Sequence, residues 1–144
     1  MSSIKSVPDF IPGHKPSKDI LVLGQCPSSN TKQTKNGTFA RLRGWMDWVG
    51  EPAWSFHNVI PNKINSYSMS DVDKEQLEAA VRGKKVVIAL GGFVSRVCKK
   101  YGIPHIKIDH PSPRNRNLNS LEYEMMMLNE LQVNIAIYKD FYGA

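Results

Sequence analysis

Val86-Val87-Ile88-Ala89-Leu90 is an unbroken apolar run between Lys85 and Gly91, and it limits the fold more than any other segment does. A run this short, rich in β-branched residues and closed by glycine, reads as a strand. With no polar residue on either side of the pleat, both of its faces must be covered. Ile20-Leu21-Val22-Leu23 is a second run of the same kind, ending at Gly24. Elsewhere the spacing changes to that of helices. Phe39, Leu42, Met46 and Val49 recur every three or four residues and stop at Gly50. Ser70 with Asp73 marks the start of a helix that carries Leu77, Ala80 and Val81 to Gly83. Phe93, Val94, Val97, Cys98 and Tyr101 make a third helix closed by Gly102, and Leu118, Leu121, Met125, Leu128 and Leu131 a long last one. Trp54 to Ile60, broken by Pro61, and Ile106 to Ile108 read as two more strands, and Asn134 to Tyr138 as a final extended piece.

Strands alternating with helices imply a parallel sheet with helices packed on it. The expected fold is a single-domain, three-layer α/β sandwich with a central, mainly parallel four-stranded sheet and helices on both faces. The domain takes residues 19–144, behind an irregular arm over 1–18 that holds Pro8, Pro12, Gly13 and Pro16.

A chain of 144 residues suits one domain, which buries roughly two-thirds of its unfolded surface without covalent staples. At 41% hydrophobic and 22% charged residues, wholesale disorder is excluded. No apolar run approaches the roughly 20 residues of a membrane span, and the N-terminus lacks the apolar core of a secretory signal. The expectation is a cytoplasmic protein with no membrane partner. Cys26 and Cys98 are too few for a disulfide framework. His14, His57, His105 and His110 show no metal-ligand spacing, so neither a metal nor a cofactor is expected. Nineteen Lys and Arg against thirteen Asp and Glu give a net charge of +6, which fits a polyanionic partner and an ordinary solvated surface alike.

In an open α/β sheet, ligands bind beyond the carboxyl ends of the strands. Those ends are Gly24 to Asn30, His57-Asn58, Gly91-Gly92, and Asp109 to Asn115. The first is not a nucleotide P-loop, because Gly-x-x-x-x-Gly-Lys-Ser/Thr is absent. A thiolate phosphatase loop opening at Cys26 would want an Arg where Lys32 stands, and Pro27 removes a backbone donor. A plain strand-to-helix turn stays open for this segment. In His110-Pro111-Ser112-Pro113-Arg114-Asn115 the prolines stiffen the loop. Its flank of Arg114, Asn115, Arg116, Asn117 and Asn119 suits contact with phosphates or a gap in a base stack. A solvated proline-rich turn is the alternative.

Gly24-Gln25-x-Pro27 early in the chain and His110-Pro111-Ser112-Pro113 late, both at strand ends, resemble the uracil-DNA glycosylase superfamily. The run His110 to Asn115 is most similar to the single-strand-selective monofunctional branch. The resemblance implies a metal-free enzyme that flips a pyrimidine out of DNA and hydrolyses its N-glycosidic bond. It implies that His110 faces the base carbonyl and stabilises the departing anion. Asn58 would read the Watson–Crick edge, with the backbone of Gly24, Gln25 and Pro27 beside it. Phe39 is the candidate for stacking on the base. Arg114, with Pro113 and Asn115, would enter the space left in the DNA, and Ser112 and Ser28 would touch phosphate. Lys32, Lys35, Arg41 and Arg43 would add a basic rim, and a solvated charged face explains them equally. The expected partner is DNA, single- or double-stranded, with the protein acting as a monomer.

Cys26 departs from that pattern. The family holds Asp or Asn at this place to orient the attacking water, and a thiol is a weak hydrogen-bonding group. Three readings follow: a glycosylase relying on leaving-group stabilisation by His110, a non-catalytic DNA- or nucleotide-binding relative or pyrimidine-hypermodification enzyme, or a nucleophilic Cys26.

Overall fold

The computed structural model describes residues 17–27, 37–112 and 115–143. Most of the N-terminal arm, together with Ser28, Pro113 and Arg114, lies outside them. Four strands, β1 (Ile20–Gly24), β2 (Ser55–Asn58), β3 (Val86–Leu90) and β4 (Ile106–Ile108), form one sheet in the order β2-β1-β3-β4. Every neighbouring pair is parallel. The helices are α1 (Thr38–Trp48), α2 (Lys74–Val81), α3 (Gly91–Lys100) and α4 (Leu121–Gly143), with single 3-10 turns at Met69–Asp71 and Arg116–Asn119. This is the three-layer α/β arrangement expected from the alternation of runs.

The two central strands are buried at every position, which is why their sequences carry no polar alternation. Successive side chains of β1 and β3 point to opposite faces. Ile20, Val22, Val86 and Ile88 pack with Leu42, Trp45 and Met46 of α1 and with Leu128, Leu131 and Ile135 of α4. Leu21, Leu23, Val87 and Ala89 pack with Leu77 of α2 and with Phe93, Val94, Val97 and Cys98 of α3. The helix that follows β1 therefore lies on one face and the helix that follows β3 on the other. Asp73 caps α2, its side chain accepting from the Gln76 N–H at 2.9 Å. Burial pushes the Cys98 thiol up to about 12, so it acts as a small apolar core residue.

The extended piece expected at Asn134 to Tyr138 is instead part of α4. Leu128, Leu131 and Ile135 continue one buried stripe at helical spacing, and no proline interrupts the helix. Polar contacts hold α4 down along its length. Trp45 Nε1 donates to Glu124 at 2.8 Å, Gln132 Nε2 to the Val49 carbonyl at 3.3 Å, and Tyr138 Oη to the His105 carbonyl at 3.1 Å. Lys139 reaches Glu51 at 2.7 Å, a half-exposed pair worth at most about 1 kcal/mol. No helix among the described residues is long and apolar enough to cross a membrane.

Ile135 and Ile137 separate the helical from the extended reading. In a strand they would share a face; in α4 they are 2% and 55% exposed. Ile135→Ala is expected to lower unfolding stability by about 2–5 kcal/mol, and Ile137→Ala by less than about 0.5 kcal/mol, both read from urea unfolding.

Candidate functional site

The strand order places a crevice before any side chain is considered. Connections from adjacent β1 and β3 leave to opposite faces, which opens a gap beyond their carboxyl ends. Register pairs Gly24 with Asn58, Leu23 with Ala89, and Leu90 with Ile108, so all four strands end on one line. The segments expected to carry chemistry are brought to this one edge.

At Gly24 the neighbouring strand crosses very closely. A Cβ there would lie 2.6 Å from Phe56 Cζ and 2.8 Å from Asn58 Oδ1, distances that side-chain carbons do not tolerate. Glycine is required so that the β2 side chains can lean over the end of β1. Asn58 is 7% exposed, and no hydrogen bond to its side-chain amide is made among the described residues. Its amide offers both a donor and an acceptor at the strand end. Beside it the Phe56 ring meets Phe39 edge-on, 5.0 Å between centroids at 77°. Phe39, expected to stack on a base, thus stands at this edge as half of an aromatic pair. Phe56 was not singled out by sequence, because its place in an apolar-rich strand reads as ordinary core.

His110 enters from the opposite side. A Cβ at Gly91 would come 3.5 Å from His110 Cβ, so the imidazole stands at the β3–α3 junction. Gly91 itself has φ +87°, a conformation that favours glycine, and α3 begins there without a loop. The Ser112 N–H donates to His110 Nδ1 at 3.1 Å, which leaves the proton of a neutral ring on Nε2. Burial lowers the His110 pKa below its ordinary value of 6.5, so the ring is neutral near pH 7, with an Nε2–H donor that has no partner among the described residues.

The loop that carries His110 is tied down from behind. Asp109 accepts from Asn115 Nδ2 at 2.9 Å and from Tyr123 Oη at 2.8 Å, and Asn117 Nδ2 lies 3.5 Å away. The Asp109 carboxylate raises the Tyr123 pKa above its ordinary value. Asn115 also donates to the His110 carbonyl at 3.3 Å and accepts from the Asn117 N–H at 3.1 Å. Its amide, expected to face DNA, is engaged in bonds within the loop, to Asp109, His110 and Asn117. Ser112 is half-buried at the loop tip. Asp109 and Tyr123 were missed by sequence reading because their contact spans fourteen positions.

Gln25 and Cys26 point elsewhere. Gln25 Nε2 donates to the Ser66 carbonyl, so its side chain anchors the loop after β2. Backbone pairing runs on past the strands, with Val59 N–H to Gly24 O at 2.9 Å and Ile60 N–H to Gln25 O at 2.8 Å. Pro27 is buried. Cys26 is a free, half-buried thiol packed against the apolar cluster on the α2–α3 face. Among the described residues no three His, Cys, Asp or Glu side chains are grouped to hold a metal ion.

Gly24→Ala is expected to cost about 1–3 kcal/mol through overpacking and to displace the Asn58 side chain, seen as a shift of its amide resonances. Folding lowers the His110 pKa, so the unfolded chain binds the proton more readily. The stability His110 contributes is therefore present above pH 6.5 and lost as pH falls toward the folded value. His110→Gln is expected to flatten the acid side of the stability profile between about pH 7 and pH 5, measured by urea unfolding at each pH.

No family model and no curated protein sequence matches the chain, so the function has to be read from the arrangement of these groups.

Proposed function

We propose that the chain is a DNA glycosylase that releases uracil or a modified pyrimidine by hydrolysing its N-glycosidic bond, as the resemblance of its two motifs implies. The observation that carries this reading is the pairing of Asn58, a largely buried residue whose side-chain amide makes no hydrogen bond among the described residues, with a neutral His110 whose Nδ1 is held by the Ser112 N–H so that Nε2 carries the proton, at opposite sides of one strand-end crevice. Asn58 stands at the end of β2 and His110 beside β3, two strands away. At about 4.8 Å per strand this separates their backbones by roughly 10 Å, room for one planar heterocycle hydrogen-bonded on both sides. Phe39 and Phe56 supply an aromatic wall.

The reaction needs water to attack C1′ of the sugar while the C1′–N1 bond breaks. The electron pair leaves with the base, and its negative charge spreads onto O2. An Nε2–H aimed at O2 stabilises that charge where it develops, as an oxyanion donor does. The neutral ring remains a donor throughout, and the proton that the water loses to solvent is balanced by one that the departing base anion takes up from it. The products are the free base and an abasic sugar bearing hydroxyl. Cys26 offers the water little, being a weak acceptor set against an apolar cluster. That position favours a slow enzyme that works by leaving-group stabilisation. The same observation supports a second reading, a relative that binds or modifies the base without releasing it.

Release of base from oligonucleotides carrying uracil or 5-hydroxymethyluracil, scored as abasic sites cleaved by alkali, tests the proposal. Release that falls about 10²–10³-fold in His110→Ala supports it, and Cys26→Asp is expected to raise the parental rate. Burial holds the His110 pKa below 6.5, so the rate should not vary with His110 protonation from pH 6.5 upward. Folded protein that binds the DNA and releases nothing would favour the second reading.

A further inference from the structure

We propose that Tyr67 and Arg96 form a rim beside the crevice that binds one unpaired DNA strand, Tyr67 stacking on a base next to the flipped nucleotide and Arg96 meeting a phosphate. The identity of the ligand rests on the glycosylase reading. Tyr67 is 76% exposed, yet it sits in a loop that is held on both sides. Ser66 Oγ donates to Asp71 at 2.6 Å, the Ser68 N–H to Ser66 Oγ at 3.2 Å, and Ser68 and Ser70 share a hydrogen bond at 2.7 Å. Lys63 reaches the same Asp71 at 2.9 Å, and together the Ser66 hydroxyl and Lys63 hold that carboxyl below its ordinary pKa. The Gln25 side chain fastens the loop to the end of β1. A large aromatic presented to water from a fixed loop has lost its freedom in advance, so stacking on it costs little further ordering.

The surroundings of the ring identify what it fits. Its contact with Phe93 is edge-on, 6.5 Å between centroids at 82°, and Phe93 lies in the first turn of α3, at the end of β3. The Arg96 guanidinium lies 5.8 Å from the Phe93 centroid, and its Nη1 would be 3.4 Å from a Cβ on Gly92. It therefore folds back toward the Gly91–Gly92 turn against which His110 packs. Tyr67 and Arg96 thus meet the same Phe93 ring, and an exposed aromatic with a cation sharing its neighbour, on a chain of net charge +6, is a combination that single-strand binders use. Bases within a duplex are already stacked on one another, so an unpaired strand is the occupant this rim favours.

Fluorescence anisotropy of a labelled, uracil-free thymidine oligonucleotide, alone and in duplex, tests the rim separately from catalysis. The parent is expected to bind the single strand more tightly than the duplex. Tyr67→Ala should weaken single-strand binding about tenfold and leave duplex binding unchanged, whereas Tyr67→Phe keeps the ring and the affinity. Arg96→Gln should weaken binding and lower the salt slope by about one. Unchanged single-strand affinity in Tyr67→Ala, or equal losses on both DNA forms, overturns the rim. Base release measured alongside separates the two proposals. Tyr67-dependent binding without release overturns the glycosylase reading alone, and release with Tyr67-independent binding overturns the rim alone.

Discussion

Gly24 is the last residue of a central strand, and the space where its side chain would stand is filled by the groups of β2. Phe56 and Asn58 approach it within 2.8 Å of a built Cβ, closer than any substituted residue permits. That approach brings an aromatic ring and the Asn58 amide to the same point at the sheet's carboxyl edge. It also keeps the amide close to the strand pair at which the chain reverses its direction of winding. On the far side, Gly91 performs the complementary task by letting α3 begin directly at the end of β3 with a positive φ, so that His110 fits against the turn. Two glycines at neighbouring strand ends thus set the width of the crevice, and the residues on its two sides follow from them.

The contrast between Asn58 and His110 gives the crevice its chemical character. Asn58 is buried without a partner among the described residues, so it is poised to read a ligand that brings both a donor and an acceptor. Among the described residues His110 is partnered on one nitrogen only, and that bond selects the tautomer of the other. Asp109, Asn115 and Tyr123 lock the loop in place, so the donor direction is set before any ligand arrives. Preorganised donors of this kind stabilise developing negative charge without reorganisation at the moment of reaction. Cys26 is the uneven element. It occupies the place of a water-orienting carboxylate in the family the motifs resemble, but it lies against core side chains rather than presenting charge.

How much of this was legible in the sequence depended on the range of the interaction. Val86–Leu90 and the run ending at Gly24 were readable because a fully buried strand leaves an unbroken apolar signature. The ends of these two strands were readable for the same reason, whereas β2 and β4, which lead to Asn58 and His110, are only partly buried and were placed by their flanking turns, Pro61 bounding the expected Trp54 to Ile60 run beyond the observed end at Asn58. Asn134 to Tyr138 was misread because the window over Asn134, Ile135, Ala136 and Ile137 looks β-branched when isolated from the stripe that runs back to Leu128. Phe56 looked like core because local pattern cannot reveal what lies across a neighbouring strand. Tyr67 and the Asp109–Tyr123 contact lay beyond reach for a related reason: both depend on loops meeting helices far along the chain. Gln25 was recognisable as part of a motif, but its side chain turned out to fasten the Ser66 loop.

The central claim is that Asn58 and His110 together bind one pyrimidine base in the strand-end crevice. Titrating free uracil into 15N-labelled protein and following the Asn58 side-chain amide and the His110 ring nitrogens by NMR tests it most directly. The account predicts saturable shifts of both groups, with Nε2 carrying the proton throughout, and their loss in Asn58→Ala. Shifts confined to other residues, or none at concentrations that saturate such a site, would contradict it.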